Sequence, residues 1–392
     1  MPSITTPQGR TTFDVLVIGA GVVGAAVAYF AALEGLKVAV VDKGAPASGT
    51  SSSCEGNILI SDKELGPELE LTKYSLQVWK NDLAEFAHLW EFEEKGGVIV
   101  ASRESSIASL ERFTASQREY GIHAEQLDVA RLRELEPHVN PAALGGAYYP
   151  EDSQVMPMLV AFHLLRLARS KGAVFEGDAP VTALIRDGER VVGAKTPKGD
   201  FYAEQVVNCT GPWAPEIAKM AGSDLPVQPR RGFVMITTPM PQMVHHKVYA
   251  AEYVDNVGSA SADLQSSPVV EGTPAGSILI GSTRERVGFD RNISTPALSV
   301  MAKNAIELFP FLEHTKILRH YHGFRPFCPD HLPVIGEDPV APGLWHAAGH
   351  EGAGIGLSVG TGKLLAQALA GKPTDHPLDA FTPARFAKKE QS

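Results

Sequence analysis

The chain has 392 residues, a formal net charge of −10, 44% hydrophobic residues and 20% charged residues. That length carries two or more domains with a sizeable core, and the acidic balance argues against nucleic acid or an anionic membrane surface as the main partner, since either selects a basic patch. Three widely spaced cysteines, Cys54, Cys209 and Cys328, form no CxxC pair and fit a reducing compartment, so a cytoplasmic protein is expected.

Residues 1–12 are polar and are expected to lack regular structure. The stretch 13–42, FDVLVIGAGVVGAAVAYFAALEGLKVAVVD, begins with a β-branched apolar run (13–18) that predicts a buried strand. Gly19, Gly21 and Gly24 follow in GxGxxG spacing, residues 25–34 are Ala-rich and helical in character, Gly35 fits the position past a helix end, and 38–41 predict a second buried strand. Glycines between a strand and a helix serve a dinucleotide. Gly19 permits the tight turn, Gly21 the approach of a pyrophosphate, and Gly24 close packing of helix on strand, while Asp42 is placed to accept from a ribose. A membrane span over residues 15–33 is the competing reading, and the ordered glycines and β-like first half argue against it. No secretory signal is expected, because no small-residue cleavage site follows the apolar run.

GAPASGTSSSCEGN after Asp42 predicts a loop able to wrap phosphates or ribityl hydroxyls. Helical spacing over 67–95 predicts one long amphipathic element; 97–101 read as a strand, 107–120 and 129–136 as helices, and GGAYYPEDSQVMP as irregular. Residues 158–171 predict a helix. Runs at 174–177, 181–186, 191–196 and 201–203 predict hairpin strands, and 205–209 a further buried strand entering TGPWAP. Residues 227–292 are β-rich, 296–309 helical, and 332–336 and 344–348 strand-like, before a last helix running to about residue 369. No internal repeat is evident.

Three separated pieces, the 19–42 unit, GFRPFCPDHLPVIGED and AAGHEGAGIGLSVGTGKLLA, together with VVNCTGPWAP, make the chain resemble the FAD-dependent oxidoreductases of the D-amino-acid oxidase, glycine oxidase and sarcosine oxidase family. SSSCEGN and GHEGAGI look most like its amino-acid and opine dehydrogenase members, including hydroxyproline dehydrogenase and cyanide-forming glycine dehydrogenase subunits. The resemblance implies an α/β fold: a discontinuous Rossmann-like FAD-binding domain (1–82, 141–226 and 319–392) with a mixed-sheet α+β substrate domain (83–140 and 227–318). It implies non-covalent FAD held by Gly19, Gly21, Val22, Val23, Gly24, Asp42, Lys43, Ser48, Thr50, Ser51, Ser52, Val181, Thr210, Gly211, Trp213, Gly349, Gly352, Ala353, Gly354 and Ile355.

Arg325, inside the apolar GFRPF, is costly to bury without an anion, and its fork suits a substrate carboxylate. A structural ion pair with an internal acid is the alternative. His350 has two readings, tuning of amine protonation or packing beside the flavin. Glu351, Gly352 and Ala353 stand where glycine oxidase-like relatives carry a Phe and an Arg, which leaves a smaller, more acidic wall. Tyr253 is a candidate second carboxylate or lid contact. His245–His246 and His320–Tyr321–His322 lack a completing ligand, so no metal is expected. The implied reaction is oxidation of the C–N bond of a small amino or imino acid (a D-amino acid, hydroxyproline, glycine, sarcosine or an opine) by hydride transfer. The electron acceptor is oxygen, a quinone or a partner subunit; a quinone would bring the protein to the inner face of a membrane. The alternative is an FAD-carrying electron-transfer or assembly subunit of a heteromeric amino-acid dehydrogenase complex, and a homo- or hetero-oligomer is expected.

Overall fold

The structure is a computed structural model and describes residues 12–251 and 261–387. Its first eight-stranded sheet is centred on Thr12–Ile18, which pairs in parallel with Val38–Val41 on one side and Gly199–Asn208 on the other. Val174–Glu176 extends it beyond Val38–Val41, and Leu344–Ala348 beyond Gly199–Asn208, both in parallel. Val334–Glu337 closes that edge antiparallel, and the hairpin Ala183–Asp187 with Arg190–Thr196 hangs from Gly199–Asn208. The runs VLVI and VAVV are continuous rather than alternating because their strands are buried on both faces.

Helices Val22–Leu33, Pro157–Ser170 and Gly354–Leu369 pack together over this sheet. Small residues set the distance between the first and last of them. A Cβ added at Gly362 would stand 2.7 Å from the backbone of Ala26 and 2.8 Å from its methyl group. Gly362→Val should therefore cost about 1–3 kcal/mol of stability, read as a lower thermal midpoint, and an unchanged midpoint would show that the helices separate freely.

The second eight-stranded sheet runs Ile317–Phe327, Gln228–Thr237, Ile278–Arg284, Gln265–Gly272, Lys247–Ala250, Gly97–Ala101, Gly145–Tyr149, Glu125–Leu127. Thr295–Leu308 packs on it, its first turn capped by Ser294 Oγ, which accepts from the Ala297 N–H at 3.3 Å. Together the two sheets give the expected α/β framework with a second, mixed sheet.

Local expectations differ from the structure in three places. The long element at 67–95 is an α-helix only over Pro67–Gln77, then a π turn (Val78–Asp82) and a 3-10 segment (Ala84–Leu89). The change of pitch accommodates Trp79, which is buried edge-on against Trp90 at 6.0 Å and donates from Nε1 to the Gly356 carbonyl at 2.9 Å. Residues 201–203 and 205–208 belong to the single strand Gly199–Asn208; exposed Glu204 interrupts the apolar pattern without interrupting the ladder. Gly145–Tyr149 and Ser153–Gln154 are strands despite turn-rich composition, because Gly97–Ala101 and Asn57–Ile58 supply their ladders. Gly145–Tyr149 and Ile317–Phe327 both pair within the second sheet.

Candidate functional site

Gly19, at the end of the first strand, has φ +108°, a backbone conformation open to glycine. Gly24 packs directly over it: an added Cβ would lie 1.9 Å from the Gly19 carbonyl oxygen. The helix Val22–Leu33 thus starts at the sheet's C-terminal edge, with Gly21 as its N-cap. Ser51 Oγ accepts from the Val22 N–H at 2.9 Å, and an added Gly21 Cβ would meet the same oxygen at 3.2 Å. Asp42, closing the second strand, accepts from the Ala20 and Gly44 N–H groups at 2.6 and 2.8 Å. Its carboxylate therefore braces the glycine turn while lining the cleft beside it. Burial raises its pKa, and those two N–H groups and Lys43 oppose the rise.

Lys43 continues the wall, with Nζ 3.6 Å from the centroid of the Trp213 ring, and Trp213 stacks on Phe289 at 5.1 Å. Loop 48–56 then crosses toward the second sheet. Thr50 Oγ1 donates to the Phe324 carbonyl at 2.7 Å and Tyr321 Oη to the Cys54 carbonyl at 3.3 Å, which fixes the loop to the strand that carries Arg325.

Arg325 is four-fifths buried and donates from Nη1 to the Thr283 carbonyl at 2.8 Å. Its Nη2 lies 4.0 Å from Glu55 Oε2. Arg230 faces Arg325 across the ladder, and its Nη1 lies 3.9 Å from Glu351 Oε2. Burial, and then the nearby Arg284, push Arg230 down to about 10. Two arginines side by side, with further arginines near, create a positive field that favours an anionic ligand. Glu351 is held by the Cys328 N–H at 3.2 Å and His331 Nδ1 at 3.1 Å, so the acidic wall is itself braced. His350 is buried, its Nε2 3.1 Å from Thr361 Oγ1, and burial pushes it down to about 3. The ring is neutral at physiological pH, which favours the packing reading over proton handling.

One continuous cavity joins these parts. Of the residues expected to hold cofactor, Gly19, Gly21, Val22, Val23, Asp42, Lys43, Ser48, Thr50, Ser51, Val181, Thr210, Gly211, Trp213, Gly352, Gly354 and Ile355 line it, as do Arg325 and His350. Four others do not. Gly24 is spent on packing; Ser52 faces a smaller cavity behind the loop and donates to the Gly49 carbonyl at 3.2 Å; Gly349 packs toward Val334 and Cys328; Ala353 borders a separate small cavity with Leu59. Tyr253 lies outside the described residues. The cavity is also lined by Glu55, Asn57, Pro212, Glu216 and Arg291, none of which carries a sequence signal beyond its loop position.

Cys54 and Cys209 line the cavity too, and burial raises both thiols, Cys54 to about 12. Both are protonated and poorly nucleophilic. His246 Nδ1 sits 2.9 Å from Glu136 Oε1, and among the described residues no group of three or more His, Cys, Asp or Glu side chains is arranged to hold a metal ion. No helix among them is long and apolar enough to cross a membrane.

The family model for FAD dependent oxidoreductases matches residues 14–368. A glycine oxidase of Geobacillus kaustophilus is 31% identical, with 96% of this chain and 98% of that protein covered. The hydrogen cyanide synthase subunit HcnC of Pseudomonas aeruginosa is 27% identical, with 96% of each covered. A crystal structure of glycine oxidase from Geobacillus kaustophilus superposes with a TM-score of 0.86 at 28% identity, covering 95% of this chain and 98% of that one.

Proposed function

The chain belongs to the FAD dependent oxidoreductase family, and from that premise we propose that it oxidises the C–N bond of a small amino or imino acid by hydride transfer. The observation that carries this reading is the single cavity running from the Gly19–Asp42 turn to Arg325. Its two ends suit the two ends of the reaction. The glycine turn, the N-terminus of Val22–Leu33 and Asp42 suit the pyrophosphate and ribose, with Lys43, Thr50, Ser51 and Trp213 along the middle. Gly352, just ahead of the last helix, and Gly354 and Ile355, which open it, suit the ring, where the helix's positive end favours negative charge. The division proposed is a discontinuous cofactor domain around the first sheet and a substrate domain around the second.

Bound FAD supplies the acceptor for the hydride that leaves the substrate's Cα. The chain's own residues hold the substrate for that step. Arg325, fixed by Thr283, presents its outward N–H groups to a carboxylate, and neutral His350 packs the wall beneath. Glu351, held by His331 and the Cys328 N–H, makes the wall acidic, and the substrates proposed are glycine, sarcosine, a D-amino acid, hydroxyproline or an opine. The test supplies each with an artificial dye as acceptor and measures release of the 2-oxo acid or cyclic imine. Turnover with at least one supports the reading; no turnover with any of them, by flavin-loaded protein, contradicts it.

The likeness to a protein named as a hydrogen cyanide synthase subunit supports a second reading, in which the chain passes electrons within a hetero-oligomer and oxygen is not the acceptor. Bound flavin that no amino acid reduces in the isolated chain, but that exchanges electrons rapidly with a quinone or dye and only slowly with oxygen, would favour it.

The flavin is expected to be non-covalent. Gly323, which packs on Ser53, stands where the sarcosine oxidase-like members of the family place a flavin-linked cysteine, and the two thiols in the cavity are protonated. Acid precipitation should leave the yellow colour in the supernatant; colour in the pellet would overturn this.

A further inference from the structure

Glu55 is buried, lines the cavity beside Arg325, and has no task in the account so far. Its Oε1 has no hydrogen-bond partner among the described residues. The 4.0 Å between Oε2 and Arg325 Nη2 is too long for a hydrogen bond, so the two charges stand side by side with room between them. A buried carboxylate in that condition is costly unless a cation reaches it.

The loop carrying Glu55 is rigid. Gly56 accepts from the Val155 N–H at 3.0 Å, Asn57 pairs with Gln154, and the Cys54 carbonyl accepts from Tyr321. The carboxylate lies over Gly281, where an added Cβ would stand 1.7 Å from Oε1. A fixed acid next to a fixed guanidinium is the complement of a molecule that carries its ammonium and carboxylate on one carbon.

We propose that Glu55 is the amine site of this cleft: it receives the ammonium of an amino acid whose carboxylate Arg325 holds, and it takes the proton that must leave nitrogen before hydride leaves carbon. The inference rests on the amino-acid reading above. The balance is simple. The N–H bond breaks, its proton passes to a Glu55 oxygen and its electron pair stays on nitrogen. That pair forms the C=N bond as the Cα–H bond breaks, and hydride with its two electrons goes to the FAD of the family's activity.

The charges facing Glu55 come from four directions: Arg325 and Tyr321 on Ile317–Phe327, Lys247 on Lys247–Ala250, Arg284 on Ile278–Arg284, and the adjoining Cys54 thiol. Lys247 is itself paired with Glu271. Burial raises the pKa of Glu55 and the three cations oppose the rise, so the group combines charge with proton affinity.

The test mixes flavin-loaded wild type and Glu55→Gln, without oxygen, with whichever of glycine, sarcosine, D-proline or hydroxyproline bleaches the wild type. Bleaching of the variant should be slower by about 100-fold at pH 7. The deficit should shrink by about tenfold per pH unit as more of the amine is free in solution. Propionate, which has no amine, should bind both proteins equally by calorimetry, and Glu55→Asp should recover part of the rate. An unchanged rate, or a deficit equal at every pH, overturns the proposal. A parallel loss of propionate affinity also overturns it, making Glu55 a positioning residue for Arg325. Wild type that no amino acid bleaches overturns the parent reading, and this one with it.

Discussion

Replacing Arg325 with alanine should raise the apparent KM for the amino acid by about a hundredfold or more while the purified protein stays yellow. The size follows from what the side chain does. A paired, charge-assisted hydrogen bond to a carboxylate in a part-buried site contributes about 3 kcal/mol, and removing it leaves the substrate's carboxylate facing unpaired polar groups. Flavin is retained because the Arg325 strand is held elsewhere, through Phe324 to Thr50 and Tyr321 to Cys54. Arg325→Lys should recover only part of the loss, since an ammonium keeps the charge but not the planar fork that sets two parallel N–H groups against a carboxylate. Steady-state kinetics with the absorbance spectrum as a control check this. An unchanged KM would leave Arg325 as a structural partner of Glu55.

Gly24→Val should yield protein with little or no bound FAD. Its side chain would need the space of the Gly19 carbonyl oxygen, 1.9 Å from the new Cβ, and of Cys209, whose Cβ is 3.2 Å away. Helix Val22–Leu33 cannot simply recede, because Gly354–Leu369 and Pro157–Ser170 pack behind it. The turn therefore deforms, and with it the N–H groups and Asp42 contacts that shape the phosphate end. A loss of FAD affinity of about a hundredfold or more is expected, measured as flavin content after purification, with circular dichroism to confirm the fold. A yellow variant with unchanged flavin affinity would remove the glycine turn from the cofactor site.

Much of that turn was legible in the sequence because its logic is local. Gly19, Gly24 and Asp42 lie within one strand, helix, strand unit, and each role follows from spacing. Arg325 was legible for another reason, as the one charge within the apolar, proline-containing run GFRPF. Glu55 was not: a Glu among serines and glycines reads as a solvated loop residue, and its burial depends on Gly281 and Arg325, far away in the chain. Ser51 and Ser52 show the same limit at shorter range. On a single 3-10 turn one hydroxyl reaches the Val22 N–H and the other turns to Gly49, which no pattern of neighbouring serines distinguishes. Gly145–Tyr149 reads as irregular because its strand character is supplied by Gly97–Ala101 rather than by its own residues.

The central claim is that one cavity holds FAD at the glycine turn and an amino acid at Arg325, close enough to react. Anaerobic mixing of the purified yellow protein with glycine, sarcosine, D-proline, hydroxyproline or an opine tests it in one step. Bleaching of the flavin absorbance by at least one of them, lost in Arg325→Ala at the same concentration, is the predicted result. A flavin spectrum unchanged by every one of them, or bleached equally in Arg325→Ala, would contradict it.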